Sequence, residues 1–146
     1  MKIAIGCDPN AENEKQDLIK FIQDKGLGEV VDFGSVDLIY ANTAVKVAEA
    51  VAAGEYDKGI LLCGTGLGVS IAANKVKGAY AALLSDVYSA QRAILSNDAN
   101  IACMGAFTTG SKERELFTET FLTLEFTKGC SSQPKVDAFR AYDNNR

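Results

Sequence analysis

The chain has 146 residues, 47% of them hydrophobic and 23% charged, with 15 basic against 19 acidic side chains and no histidine. That length and balance fit one globular domain over residues 1–146 and exclude a disordered chain, a collagen-like repeat or a disulfide-dense mini-scaffold. A formal charge of −4 without a basic stripe argues against nucleic acid as a partner, and no apolar run approaches the ~20 residues of a membrane helix.

Short β-rich runs alternate with amphipathic stretches, the pattern of an α/β fold. Residues 2–8 (KIAIGCD) read as a buried first strand, and residues 12–25 as a helix with Leu18, Ile19, Phe21 and Ile22 on its inner face. Gly26 and Gly28 end that helix, and residues 29–34 (EVVDFG) form a second strand. A helix over 41–53 leads to the third strand, 58–63 (KGILLC), which is apolar throughout and therefore central. A glycine-rich turn and a helix to about Lys75 follow. Strands at 78–85 and 99–106 flank a short helix over 87–95. A helix over 111–124 turns Leu116, Phe117, Phe121 and Leu122 inward, and a short helix over 135–143 closes a C-terminal tail of residues 130–146. The expected architecture is a three-layer α/β/α, Rossmann-like domain with a five-stranded parallel sheet.

The start at Met1 enters a strand without a signal-peptide profile, which points to a cytoplasmic protein. Cys7, Cys63, Cys103 and Cys130 are far apart and form no C-x-x-C pair, so a zinc ribbon or redox dithiol is not expected. The absence of imidazole removes Ser-His-Asp and Cys-His nucleophilic sites and His-ligated metals.

Ligands of open parallel sheets bind beyond the strands' carboxyl ends. That rule directs attention to Gly6–Asn10, the segment around Tyr40, Ala41 and Asn42, the turn Cys63–Gly68, and Ser96–Asn100 before the fifth strand. The turn C-G-T-G-L-G, between a strand and a helix, gathers several backbone N–H groups into a nest that suits an anion or a developing oxyanion. It is no dinucleotide fingerprint, because Gly68 comes one residue too early, and no G-K-[ST] follows to make a P-loop. A thiol at Cys63 beside that nest is either a reactive group favoured as thiolate or a small buried hydrophobe. Cys7 and Cys103 read as core, and Asp8 as a helix N-cap or a ligand for hydroxyl groups. Tyr40 could simply pack, and Asn97 with Asp98 could cap a helix.

The segments GCD, AVAAGEYDKGILLCGTGLGVSIAANK and YSAQRAILSNDANIACMGAF, in that order across residues 2–125, resemble the ribose-5-phosphate isomerase B / galactose-6-phosphate isomerase family. The resemblance implies an aldose–ketose isomerase that needs no metal or cofactor, and a homodimer or homotetramer with sites at subunit interfaces. It places the proton-abstracting base at Cys63 and the oxyanion-stabilising turn at Gly64, Thr65, Gly66, Leu67 and Gly68. It places sugar contacts at Asp8 and Asn97; on this reading Asn42 also holds a substrate hydroxyl, and Tyr40 lines the pocket.

The departures from that family are specific. Pro9 follows Asp8 where the family has histidine, and Ser96 stands at the ring-opening histidine. Phe107 replaces an arginine, and Ser131–Lys135 replaces an R-H-x-x-R segment, which leaves Lys135 as the phosphate candidate. The Y-A-N and L-S-N-D-A-N variants resemble the erythrulose-4-phosphate isomerase branch. The expected substrate is thus a short sugar phosphate, a tetrulose 4-phosphate ahead of a pentose 5-phosphate. The alternatives are a silent sugar-phosphate-binding partner subunit and, more distantly, a generic nucleotide-binding domain.

Overall fold

A computed structural model describes residues 1–146. Five strands, β1 (Lys2–Cys7), β2 (Glu29–Asp32), β3 (Lys58–Cys63), β4 (Ala81–Leu83) and β5 (Ile101–Gly105), form one parallel sheet in the order β2-β1-β3-β5-β4. The helices are α1 (Glu12–Lys25), α2 (Tyr40–Ala52), α3 (Leu67–Ala73), α4 (Val87–Leu95), α5 (Ser111–Thr123) and α6 (Gln133–Asn144). A single 3-10 turn, Pro9–Ala11, joins β1 to α1.

The period-2 alternation of strand side chains divides the core into two layers. Ile3, Ile5, Cys7, Ile60, Leu62, Ala102 and Met104 pack against α1, α4 and α5 through Leu18, Ile22, Ile94, Phe117 and Phe121. Ala4, Leu61, Cys63, Ile101 and Cys103 face α2 and α3 through Val47, Val51, Val69 and Ala73. The expected three-layer α/β/α fold is the observed one. Phe117 is fully enclosed in the first layer. Phe117→Ala is expected to cost about 3–5 kcal/mol in a urea unfolding titration, the range for emptying an aromatic site in a packed core.

Four readings of the sequence need correction. The fourth strand spans three residues, not eight: Gly78 takes a left-handed φ of 87°, and the Asn74 side chain engages both the N–H and the carbonyl of Ala81, so ladder pairing begins late. The second helix begins at Tyr40, not Ala41. The last begins at Gln133, two residues early, because Pro134 suits a first helical turn. Leu116 is 47% exposed, since Phe117, Phe121 and Leu122 already fill the inner face of α5 and place Leu116 beyond its edge.

Candidate active site

The strand order reverses between β1 and β3, so their carboxyl ends flank the topological switch point, where such sheets open a crevice. Cys7 is in register with Leu62, which sets the next residue, Asp8, beside Cys63. Asp8 Oδ1 accepts the N–H of Asn10 at 2.8 Å and caps the 3-10 turn, while Oδ2 remains for another donor. Cap and ligand are therefore compatible roles for one carboxylate, which the sequence reading treated as alternatives.

Cys63 ends β3 with its side chain 6% exposed. The chain then folds back sharply, with Gly66 at φ 79°, and the Gly66 N–H donates to Cys63 Sγ at 3.1 Å. The Leu67 N–H donates to Thr65 Oγ1 at 3.2 Å. The N–H groups of Gly64, Thr65 and Gly68 take no part in the backbone hydrogen-bond set and line the same turn. A thiolate at Cys63 would thus find one fixed donor on its sulfur, and an oxyanion beside it would find others.

Close packing explains the glycines of this turn. A Cβ on Gly66 would meet Leu83 Cδ1 at 2.7 Å and the Met104 carbonyl carbon at 2.9 Å. One on Gly68 would collide with Tyr40 Oη, so the Tyr40 phenol lies over the start of α3. One on Gly64 would meet the Phe107 ring at 2.8 Å. Cys63, Thr65, Gly64, Gly66, Leu67, Gly68, Asp8 and Tyr40 therefore converge at one end of the sheet.

Three sequence candidates lie elsewhere within the chain. Asn42 is on the solvent face of α2 with Lys46 and Glu49, its Nδ2 donating to Asp37 Oδ2 at 3.1 Å. Its neighbour Thr43 turns inward, 6% exposed, with its methyl group against Gly6. Thr43 is the polar residue near the crevice that the sequence reading did not single out; it lies one helical step, about 100°, from Asn42, and no local motif marks it. Asn97 sits at the opposite, amino end of the sheet, where its Nδ2 donates to the Arg92 carbonyl at 3.1 Å and closes α4. The reason is topological: the loop that enters β5 must lie at that strand's amino end. Lys135 is exposed on the first turn of α6, an element tied to this amino pole by an Arg140–Asp98 ion pair at 2.6 Å and by Asp143 Oδ2 accepting the Gly78 N–H at 2.8 Å.

A second charged cluster braces the Asp8 loop from behind. Lys15, 1% exposed, places Nζ 2.8 Å from both Glu12 Oε2 and Asp32 Oδ1. Asp32 also receives the Gly34 N–H at 2.8 Å, which ties α1 to the loop after β2. Burial disfavours the charge on Lys15, but its bonds to Asp32 and Glu12 prevail and raise its pKa. The Lys15 hydrogen bond lowers Glu12 from 4.5 to about 2. A carboxylate whose folded pKa is depressed stabilises the fold above its unfolded value and loses that contribution as pH falls towards the folded one. The stability advantage of the wild type over Glu12→Gln is therefore expected in full above pH 4.5 and to shrink between pH 4.5 and about 2, as read from thermal melts. Burial pushes the Cys7 thiol up to about 12 and raises Cys103 as well, so neither supplies thiolate at neutral pH, consistent with their reading as core. No three or more Cys, Asp or Glu side chains converge to hold a metal ion.

A sequence model described as Ribose/Galactose Isomerase matches residues 3–139. The chain is 45% identical to the ribose-5-P isomerase B of Listeria innocua, over 98% of this chain and 97% of that one. It is 43% identical to D-erythrulose-4-phosphate isomerase 2 of Mycolicibacterium smegmatis, with coverage of 98% and 97%. Its fold superimposes on the type B ribose 5-phosphate isomerase of Trypanosoma cruzi with a TM-score of 0.93 at 37% identity, over 100% of both chains.

Proposed function

The chain belongs to the ribose/galactose isomerase family and is a sugar-phosphate aldose–ketose isomerase; on that premise we propose that it acts on a four-carbon ketose 4-phosphate, with Cys63 as the base. The observation that carries the assignment of the base is the Gly66 N–H fixed on Cys63 Sγ inside the glycine turn, beside Asp8. As thiolate, Cys63 takes the proton from the carbon that bears a hydroxyl next to the carbonyl. The electron pair moves into an enediolate, whose oxygen is held by the N–H groups of the Gly64–Gly68 turn. Thr65 stands in that turn, and its Oγ1 orients the Leu67 N–H. The proton then returns to the neighbouring carbon, exchanging ketone for aldehyde. Preorganised donors of this kind contribute about 3 kcal/mol each to the barrier. Asp8 Oδ2 accepts a substrate hydroxyl, and Tyr40 closes the Gly68 side.

Ser96 supports the four-carbon substrate. A tetrose 4-phosphate has its terminal oxygen blocked and cannot close a furanose ring, so no ring-opening acid is required. Ser96 Oγ is instead occupied by Arg92 Nε at 2.6 Å. Relatives named for each substrate class stand at comparable identity, so assay decides between them. Turnover of erythrulose 4-phosphate with a kcat/KM at least tenfold above that for ribose 5-phosphate is the expected result; the reverse order would overturn the substrate assignment.

The proposed site is completed by a second copy of the chain, which would bring Asn97 and Lys135 from its amino pole to the Cys63 pole of the first. Exposed Val36, Leu38, Ile39, Leu67 and Ile71 around the crevice give such a partner an apolar seat. Cys63→Ala and Asn97→Ala homo-oligomers, each impaired alone, should regain activity when dissociated and reassembled together, because the hybrid contains one intact site. Failure to regain it would place Asn97 outside the site.

A further inference from the structure

The loops at the carboxyl end of the sheet have an unusual charge balance. Residues 8–12, 32–40, 63–68, 84–86 and 105–110 contain Asp8, Glu12, Asp32, Asp37 and Asp86 but no lysine or arginine. The cations that border these loops are engaged: Lys15 is buried between Glu12 and Asp32, Arg114 is buried with its guanidinium on the Thr109 carbonyl, and Lys112 pairs with Glu115 at 2.9 Å. Within one chain these loops therefore present no unengaged cation to a phosphate, which leaves room for an uncharged group to orient the substrate along the turn.

Phe107 has the geometry for that task. The strand ladder continues past β5: the Ala106 N–H donates to the Cys63 carbonyl at 2.8 Å and the Phe107 N–H to the Gly64 carbonyl at 2.9 Å. Phe107 is thereby fixed beside the thiol-bearing segment by backbone bonds. Its ring lies on Gly64, where any Cβ would come within 2.8 Å of Cδ2 and 2.9 Å of Cε2. The residue is nonetheless 71% exposed, so the other ring face is open. With Tyr40 over Gly68, an aromatic ring stands at each end of the Gly64–Gly68 turn.

We propose that Phe107 is a specificity-determining residue that packs its open face on the C–H face of the substrate chain and keeps the anionic terminus away from the Gly64 end. The negative face of an aromatic ring attracts C–H edges and repels a dianion. A short chain then lies with its carbonyl end against Cys63 and its phosphate directed away from Phe107. A longer sugar phosphate has to place additional polar groups against the ring. This assignment rests on the isomerase reading above.

The test compares the wild type with Phe107→Leu, Phe107→Ala and Phe107→Arg, using erythrulose 4-phosphate and ribose 5-phosphate. Phe107→Ala should raise KM for the tetrulose phosphate about tenfold with kcat within about twofold, and Phe107→Leu should fall between it and the wild type. Phe107→Arg should shift the ratio of kcat/KM towards ribose 5-phosphate by tenfold or more, because it puts an unengaged guanidinium at the Gly64 end of the turn. Turnover by all four proteins with an unchanged substrate ratio and KM overturns the role of Phe107 and leaves the isomerase reading standing. A wild type that turns over neither sugar overturns both.

Discussion

Cys63→Ala is expected to slow sugar-phosphate isomerisation about 10³-fold at saturating substrate, within the range for removing a positioned proton-transfer group. KM should stay within about threefold, since Asp8, Tyr40 and the backbone donors of the turn remain. The fold should survive. Cys63 loses one sulfur atom at the edge of a layer whose other members, among them Leu61, Val69 and Cys103, stay in place. A cost of about 1 kcal/mol follows from the small volume removed, a few degrees in melting temperature for a chain of this size. Cys7 and Cys103 offer no substitute base, because burial holds both thiols in the protonated form. Steady-state kinetics with a parallel thermal melt separates lost chemistry from lost structure. A variant with the wild-type melting temperature and the wild-type kcat would show that the base is elsewhere.

Gly66→Ala should damage both stability and activity. Alanine at φ 79° carries the left-handed penalty of about 1–2 kcal/mol, and its Cβ would meet Met104 main-chain atoms at 2.9 and 3.1 Å, which cannot swing aside as a side chain can. Adding the usual overpacking cost gives about 2–4 kcal/mol in a urea titration. Relief of that contact must move the turn away from β5. The Gly66 N–H would then leave Cys63 Sγ, and the free donors of Gly64, Thr65 and Gly68 would lose their common aim. That misalignment should lower kcat by about two to three orders of magnitude. Loss of stability with unchanged kcat would separate the donor turn from catalysis.

Much of this architecture was legible in the amino acids. The unbroken apolar run KGILLC marked the central strand, and it is flanked on both sides in the sheet. The glycine spacing after Cys63 marked the nest because each glycine answers to a specific neighbour: Phe107 at Gly64, Leu83 and Met104 at Gly66, Tyr40 at Gly68. Those neighbours come from three distant segments, and no local pattern names them. Strand order was hidden for the same reason, as nothing in β4 or β5 says which of them lies at the edge.

Two candidate placements depart from the single-chain geometry for simple physical reasons. Asn42 and Thr43 differ by one helical step of about 100°, so of two adjacent polar residues at the start of α2 the first faces solvent and the second turns inward. The Asn97 loop leads into β5 and so lies at the amino end of its own sheet, which lets it reach a crevice only across a subunit interface, as proposed above. Lys15 escaped notice because a lysine on the inner face of an amphipathic helix reads as an exception. Its two carboxylate partners, one a turn before it and one on β2, make it a brace for the Asp8 loop.

The most direct test of the assignment of Cys63 follows the carbon-bound hydrogen itself. Erythrulose 4-phosphate incubated with the enzyme in D2O, and monitored by proton NMR, should acquire deuterium at the carbon that carries the exchanged proton, as an enediolate formed by a thiolate base requires. Cys63→Ala, melting within a few degrees of the wild type, should incorporate none on the same timescale. Incorporation by that variant at the wild-type rate would contradict the role of Cys63 in the proton transfer.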